Sequence, residues 1–190
     1  IRFDIAGTEE MVMDASGIII NEGSNDRDFR IESNGNTHML FVDGGNNKIG
    51  IGTSSPSNNL EIFTDAGDEG LTIKSTGNTS NAIIIDANRS GAGNSIGEIQ
   101  SKWNGTAVSM IASLTGADTT NKDDGVLAFY TSSANNLAEK MRIASDGTVG
   151  IGETSPDSLL HIKNTTADGV AGISLENDAR RYAINVHGGL

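Results

Sequence analysis

Apolar positions along this chain come in short runs, each three to five residues long and often alternating with polar ones. The first half carries Met11–Met13, Ile18–Ile20, Phe29–Ile31, Met39–Val42, Ile49–Ile51, Leu60–Phe63, Leu71–Ile73 and Ile83–Ile85. The second half carries Ile96–Ile99, Val108–Ala112, Val126–Tyr130, Met141–Ile143, Val149–Ile151, Leu160–Ile162, Ile173–Leu175 and Tyr182–Val186. Between them lie Asn34-Gly35, Asp43-Gly44, Asn104-Gly105, Asp124-Gly125, Asp146-Gly147 and Asp168-Gly169. Such pairs supply the positive φ that tight hairpins need. One strand about every ten residues predicts an all-β architecture. Helix signals are weak: Ser55-Pro56 and Ser155-Pro156 each suit a single capped turn, and Leu137 to Arg142 suits another. No stretch holds a 3.6-residue period over three turns.

One phrase occurs twice. Lys48-Ile49-Gly50-Ile51-Gly52-Thr53-Ser54-Ser55-Pro56 is followed by Leu60-Glu61-Ile62, and Val149-Gly150-Ile151-Gly152-Glu153-Thr154-Ser155-Pro156 by Leu160-His161-Ile162. A Met-x-φ-x-x-x-Gly phrase precedes each, from Met39 to Gly45 and from Met141 to Gly147, and a third spans Met11 to Gly17. Gly70-Leu71-Thr72-Ile73 after the first copy echoes Gly172-Ile173-Ser174-Leu175 after the second. Repeated units build extended arrays more often than one globular active site. The expected organisation is 1–56 as the end of one β unit plus a short linking unit, 57–148 as a complete unit, and 149–190 as the truncated start of the next. The opening at Ile1 suggests an internal piece of a longer polypeptide.

Composition sharpens this picture. The 190 residues include 24 Gly, 2 Pro and only 4% aromatics. A single compact core of this length would use more Phe, Tyr and Trp, which bury the most area per residue. Thin layers of Ile, Val, Leu, Met and Ala are expected instead, completed by other chains. The net charge of -12, with no Lys/Arg cluster, lacks the footprint of a nucleic-acid binder and disfavours anionic membranes. There is no cysteine, hence no disulfide framework or thiolate metal site. No apolar run approaches the roughly 20 residues that span a bilayer, and no membrane insertion is expected.

Candidate chemistry is sparse. Gly50-Ile51-Gly52 and Gly150-Ile151-Gly152 lack the third Gly and the following helix of a dinucleotide-binding loop. They read as strand glycines at a close backbone approach or a corner. Gly93-Asn94-Ser95-Ile96-Gly97 matches G-x-S-x-G, but a strand pattern follows where a nucleophile elbow needs a helix. His38, His161 and His187 show no metal-ligand spacing, and His161 reads as a solvated strand residue. Asp43-Gly44-Gly45-Asn46-Asn47, and Asp118 with Asp123-Asp124, read as turns, without the closing Glu of a calcium loop. Trp103 suits either an exposed sugar-stacking place or the base of a loop. No catalytic, cofactor-binding or metal-binding residue is assigned.

Read together, Gly147 to Ile162, the preceding Gly125 to Thr131 and Leu137 to Ile143, and Asp28 to Asp43 resemble the repeats of tail fibres and appendage proteins of marine bacteriophages. The resemblance covers most of the chain. It implies a homotrimeric, β-rich fibre. Triple-stranded β-helix, β-prism and trimer of β-sandwiches all fit the strand pattern; the expected form is an all-β, repetitive, elongated trimeric fibre of small β-sandwich-like units joined by intertwined β necks at the φ-G-I-G segments. The resemblance implies a location on the virion exterior, and as partners other tail or fibre proteins and a bacterial cell-surface glycan or protein receptor. The expected function is a structural and adhesive segment: a rigid spacer that presents a host-receptor-binding surface, with recognition on loops such as Asn104–Gly105 or Ala117–Asp124. No enzymatic activity or cofactor is expected. The alternatives are a bacterial surface adhesin repeat and a fibre-borne polysaccharide depolymerase.

Overall fold

A computed structural model of the chain describes residues 2–5, 8–14, 17–20, 26–65, 67, 70–164, 170–177 and 180–186. The chain is all-β: among the described residues fifteen strands form four sheets, and no helix occurs. It divides into two compact units, Ile1–Asn81 and Ala82–Leu190.

The first unit holds two sheets. Strands β1 (Arg2–Ile5), β2 (Thr8–Asp14) and β3 (Gly17–Ile20) form an antiparallel meander. Strands β4 (Phe29–Ile31), β5 (Leu40–Asp43), β6 (Lys48–Ile51) and β7 (Leu60–Ile62) form a mixed sheet in that order. In it β4, β5 and β6 run antiparallel, and β7 joins β6 in parallel.

The second unit is built on a six-stranded mixed sheet. Its strands are β8 (Ser95–Trp103), β9 (Thr106–Thr115), β10 (Gly125–Ser133), β11 (Asn136–Ile143), β12 (Val149–Ile151) and β13 (Leu160–Ile162). Neighbours are antiparallel except β12 and β13, which are parallel. Strands β14 (Ala171–Asn177) and β15 (Arg180–Val186) make a separate hairpin. The positions 56/57 and 148/149 fall inside paired sheets, between β6 and β7 and between β11 and β12.

Local sequence explains the hairpins. Asn104 and Gly105 both have positive φ, 48° and 84°, and close β8 onto β9 as a two-residue turn. That turn favours Asn-Gly because its twist matches that of the strands. The β10–β11 hairpin uses Ala134 and Asn135 at φ 50° and 63°. Alanine pays a steric penalty there, so this turn carried no sequence signal.

Three expectations need correction. Leu137 to Arg142 is strand, inside β11, where cross-strand pairing overrides a weak helical pattern. Ser55-Pro56 and Ser155-Pro156 lie in bends with no helical turn. Leu71–Ile73 and Ile83–Ile85 join no ladder, although their composition suits strands. Asp168-Gly169 and His187 lie outside the described residues.

The core is thin. Among the described residues only Phe41, Ala112, Leu114 and Ala128 are buried hydrophobics. Ala112, Leu114 and Ala128 sit together on the six-stranded sheet, flanked by Met110, Val126 and Tyr130.

Candidate interaction surfaces

The repeated phrase builds the same backbone device in both units. After the G-I-G strand, residues 52–59 or 152–159 return the chain so that the next strand lies parallel to the first. Parallel neighbours normally need a connection of about a dozen residues or more. Here the return is tightened by matched hydrogen bonds. The Ile49 amide donates to the Asn59 carbonyl at 2.8 Å, and Val149 to Leu159 at 2.9 Å. Phe63 and Lys163 donate to the Ile51 and Ile151 carbonyls, and Gly52 and Gly152 to those of His38 and Lys140, all at 2.9 Å.

Both glycines of the phrase are required by this path. A Cβ on Gly50 would collide with the Thr53 carbonyl, and one on Gly150 with that of Glu153. Gly52 and Gly152 have φ of 80° and 71°, and a Cβ there would meet the Phe63 or Lys163 carbonyl oxygen. The close-approach reading of G-I-G therefore holds, with a physical reason at each glycine.

The return loop folds over one face of each sheet. In the smaller mixed sheet that face carries Arg30, Phe41, Gly50 and Glu61 in register. Glu61 Oε2 accepts hydrogen bonds from the Ser57 amide and hydroxyl, both at 2.6 Å, which lowers its pKa. Lys48 Nζ donates to the carbonyl of buried Pro56 at 2.8 Å. In the larger sheet the matching row is Glu98, Ala112, Ala128, Arg142, Gly150 and His161. Arg142 binds Glu139 through Nε and Nη2 at 2.6 and 2.7 Å, and its Nη1 donates to the Thr154 carbonyl at 2.9 Å. Tyr130 donates to Glu139 Oε2 at 3.3 Å. The Glu139 hydrogen bond holds the guanidinium pKa up, and burial first, then the Glu139 charge, raises that of Tyr130.

His161 belongs to the same covered face, which corrects its reading as a solvated residue. Its side chain is 27% exposed because the loop closes over it. Its Nδ1 lies 3.0 Å from Asp157 Oδ1, yet it is buried and outside hydrogen-bond alignment.

The opposite face is bare. Across all six strands of the larger sheet the register aligns Ile99, Ile111, Phe129, Met141, Ile151 and Ile162. The adjacent row on that face aligns Gly97, Ser113, Leu127, Ile143, Val149 and Leu160. Neither row holds a charged residue, and Ile99 is 69% exposed. The smaller sheet repeats the pattern with Phe29, Val42, Ile49 and Leu60, of which Ile49 and Leu60 are exposed. Each strand's share was visible as a short apolar run. The continuous rows follow from register, which the runs do not specify.

Polar candidates resolve mainly as turn chemistry. Asp43 Oδ1 accepts from the Asn46 amide at 2.8 Å, and Asp118 Oδ1 from the amides of Thr120 and Asn121 at 2.8 and 3.1 Å. The Asn46 side-chain amide, then its backbone amide, lowers the Asp43 carboxyl pKa, and the Asn121 and Thr120 amides lower that of Asp118. Among the described residues no group of three or more His, Asp or Glu is placed to hold a metal ion. Ser95 opens strand β8, and its carbonyl accepts from Arg89 Nε at 2.7 Å. The His38 ring stands edge-on to Phe41, centroids 5.5 Å apart. Trp103 ends β8 beside the Asn104–Gly105 turn and is 79% exposed, so it does not seal a loop base. At the opposite end of β8 and β9, a cavity of about 230 Å³ is lined by Asp86, Arg89, Thr115, Asp118, Lys122 and Asp124.

No protein-family model matches the chain, and no curated protein matches it either.

Proposed function

We propose that this chain is a structural and adhesive segment of a bacteriophage tail fibre or comparable exterior virion appendage, working as a homotrimer. The observation that carries the reading is the asymmetry of both mixed sheets. One face is closed by its own return loop, while the other presents uncharged apolar rows to solvent. Contiguous apolar surface of this kind marks an interaction site. The two units share it, so the same association would repeat along the chain and give an elongated fibre of small β units. Burying those rows between copies supplies the core that a chain with 4% aromatics lacks. The exposed Trp103 at a hairpin tip and the cavity between loops are the surfaces offered to a cell-surface glycan or protein receptor. Threefold repetition strengthens weak contacts through effective concentration.

Light scattering after gel filtration tests the reading. The expected mass is three times the 19.8 kDa chain, persisting in mild denaturant. A well-folded monomer at micromolar concentration would overturn it.

A further inference from the structure

The segment Ala82-Ile83-Ile84-Ile85-Asp86 has strand composition but no strand partner, and it places three consecutive isoleucines at the surface. Ile84 is 87% exposed, the most exposed of the three. An apolar run in that state costs solvation free energy without forming ladder hydrogen bonds, so an isolated chain leaves it incomplete.

One of the three isoleucines shows what the segment fits. Ile85 lies against Gly97 on the bare face of the six-stranded sheet. A Cβ at residue 97 would stand 3.0 Å from both Cβ and Cδ1 of Ile85. Glycine at 97 therefore opens a seat for an isoleucine on this face. Beside it, a hollow of about 110 Å³ is lined by Ile85, Ile96, Gly97, Glu98, Ile99 and Ile111. An apolar cavity of about 150 Å³ takes a benzene-sized group, so this hollow has the size for one aliphatic side chain. The chain's own segment seats at the β8 end only, and Ile99, Ile111 and Ile151 stay exposed.

We infer that Ile83 and Ile84 of one copy pack onto the bare sheet face of a second copy of this chain, with the hollow walled by Ile85, Ile99 and Ile111 as the receiving seat. The segment then staples two copies: Ile85 holds its own sheet and its neighbours hold the next. A second copy is the occupant because this same isoleucine segment already seats one of its residues, Ile85, on this face within one chain. The two apolar rows of this face also hold no charged residue, so copies with a net charge of -12 can meet on those rows without opposed like charges at the contact.

This inference rests on the self-assembly reading above. Its test uses the full 190-residue chain, which has no native cysteine to confuse a cross-link. Chains carrying Ile84→Cys and Ile111→Cys are co-expressed and oxidised. A mixed disulfide between the two chains is expected. Ile84→Asp is expected to weaken association at least about tenfold with an unchanged far-ultraviolet spectrum, because it puts a charge into an apolar seat. Ile84→Leu should retain the oligomer. An oligomer of unchanged mass with Ile84→Asp, and no mixed disulfide, would overturn the staple and leave self-assembly standing. A monomeric parent chain would overturn both. Ile84 touches little of its own chain, so loss of fold does not obscure the outcome.

Discussion

The two copies of the repeated phrase share a backbone and differ in side chains. Residues 49–63 and 149–163 make the same return, through amide bonds at identical positions. Their clasps differ. Glu61 holds the Ser57 amide in the first copy, while the second reverses the arrangement, with Asp157 beside His161. Thr53 Oγ1 accepts from the Ser55 amide at 3.1 Å, where Glu153 Oε1 accepts from Ser155 at 2.8 Å. Glu153 also pairs with Lys163 at 2.5 Å, a position held by Phe63 in the first copy. Opposite the first glycine stands buried Phe41 in one sheet and Arg142 in the other. The lesson is that the glycines specify the path, and the loop can be fastened by several chemistries.

The upstream strands show how insertions are absorbed. Met39 precedes Ile49 by two more residues than Met141 precedes Val149. Residues 44–47 form the first turn, whereas residues 145–147 form the second, closed by a bond from the Ala144 amide to the Thr148 carbonyl. The other extra residue lies where β5 begins: His38 meets Gly52 although Phe41 pairs Gly50, while Lys140 meets Gly152 and Arg142 pairs Gly150 in regular register.

The strongest challenge to this comparison is a side chain at the second glycine. Gly52→Val and Gly152→Val should each cost roughly 2–4 kcal/mol in urea unfolding, since each combines positive φ with a blocked carbonyl contact. If only one copy suffers, the shared path is not what the glycines secure. Arg142→Ala should cost about 1–3 kcal/mol by leaving Glu139 Oε1 and the Thr154 carbonyl without the donors Arg142 supplies. A loop-specific probe should then report loosening in the second unit alone.

Acid should separate the copies. The Lys163 hydrogen bond, followed by the Ser155 amide, lowers the Glu153 pKa from 4.5 to about 2. A carboxyl depressed in the folded state contributes stability above its unfolded pKa and loses it as pH falls through the folded one. The unfolding midpoint should therefore drop between pH 4.5 and about 2. Glu153→Gln should flatten that drop; a variant with the parent's pH profile would remove Glu153 from the account. The smallest effect is expected from exchanging clasps. Glu153→Thr combined with Lys163→Phe imports the first copy's residues and should change stability by less than about 1 kcal/mol, because Lys163 is half exposed and a threonine at 153 can accept the Ser155 amide as Thr53 accepts that of Ser55. A larger loss in thermal unfolding would show that the clasps are not interchangeable.

Much of the fold was legible because strands leave local traces. Asn104-Gly105 announced its hairpin, and the apolar runs marked most of the strands. The Ala134–Asn135 turn was hidden because alanine is a poor positive-φ residue. The helical pattern at Leu137 to Arg142 misled because its period was too short to outweigh pairing with β10 and β12. His161 was misplaced because its cover comes from a loop that crosses above it, which strand alternation does not reveal.

The amino-acid order alone determined the all-β class, the repeated phrase and the need for glycine within it, since these depend on side-chain type and neighbours a few residues away. Tertiary structure decided which apolar runs share a face. Ile99, Ile111, Phe129, Met141, Ile151 and Ile162 come from six strands, and only hydrogen-bonded register sets them in one row. A shift of one residue would send any of them to the opposite face, because strand side chains alternate with a period of two.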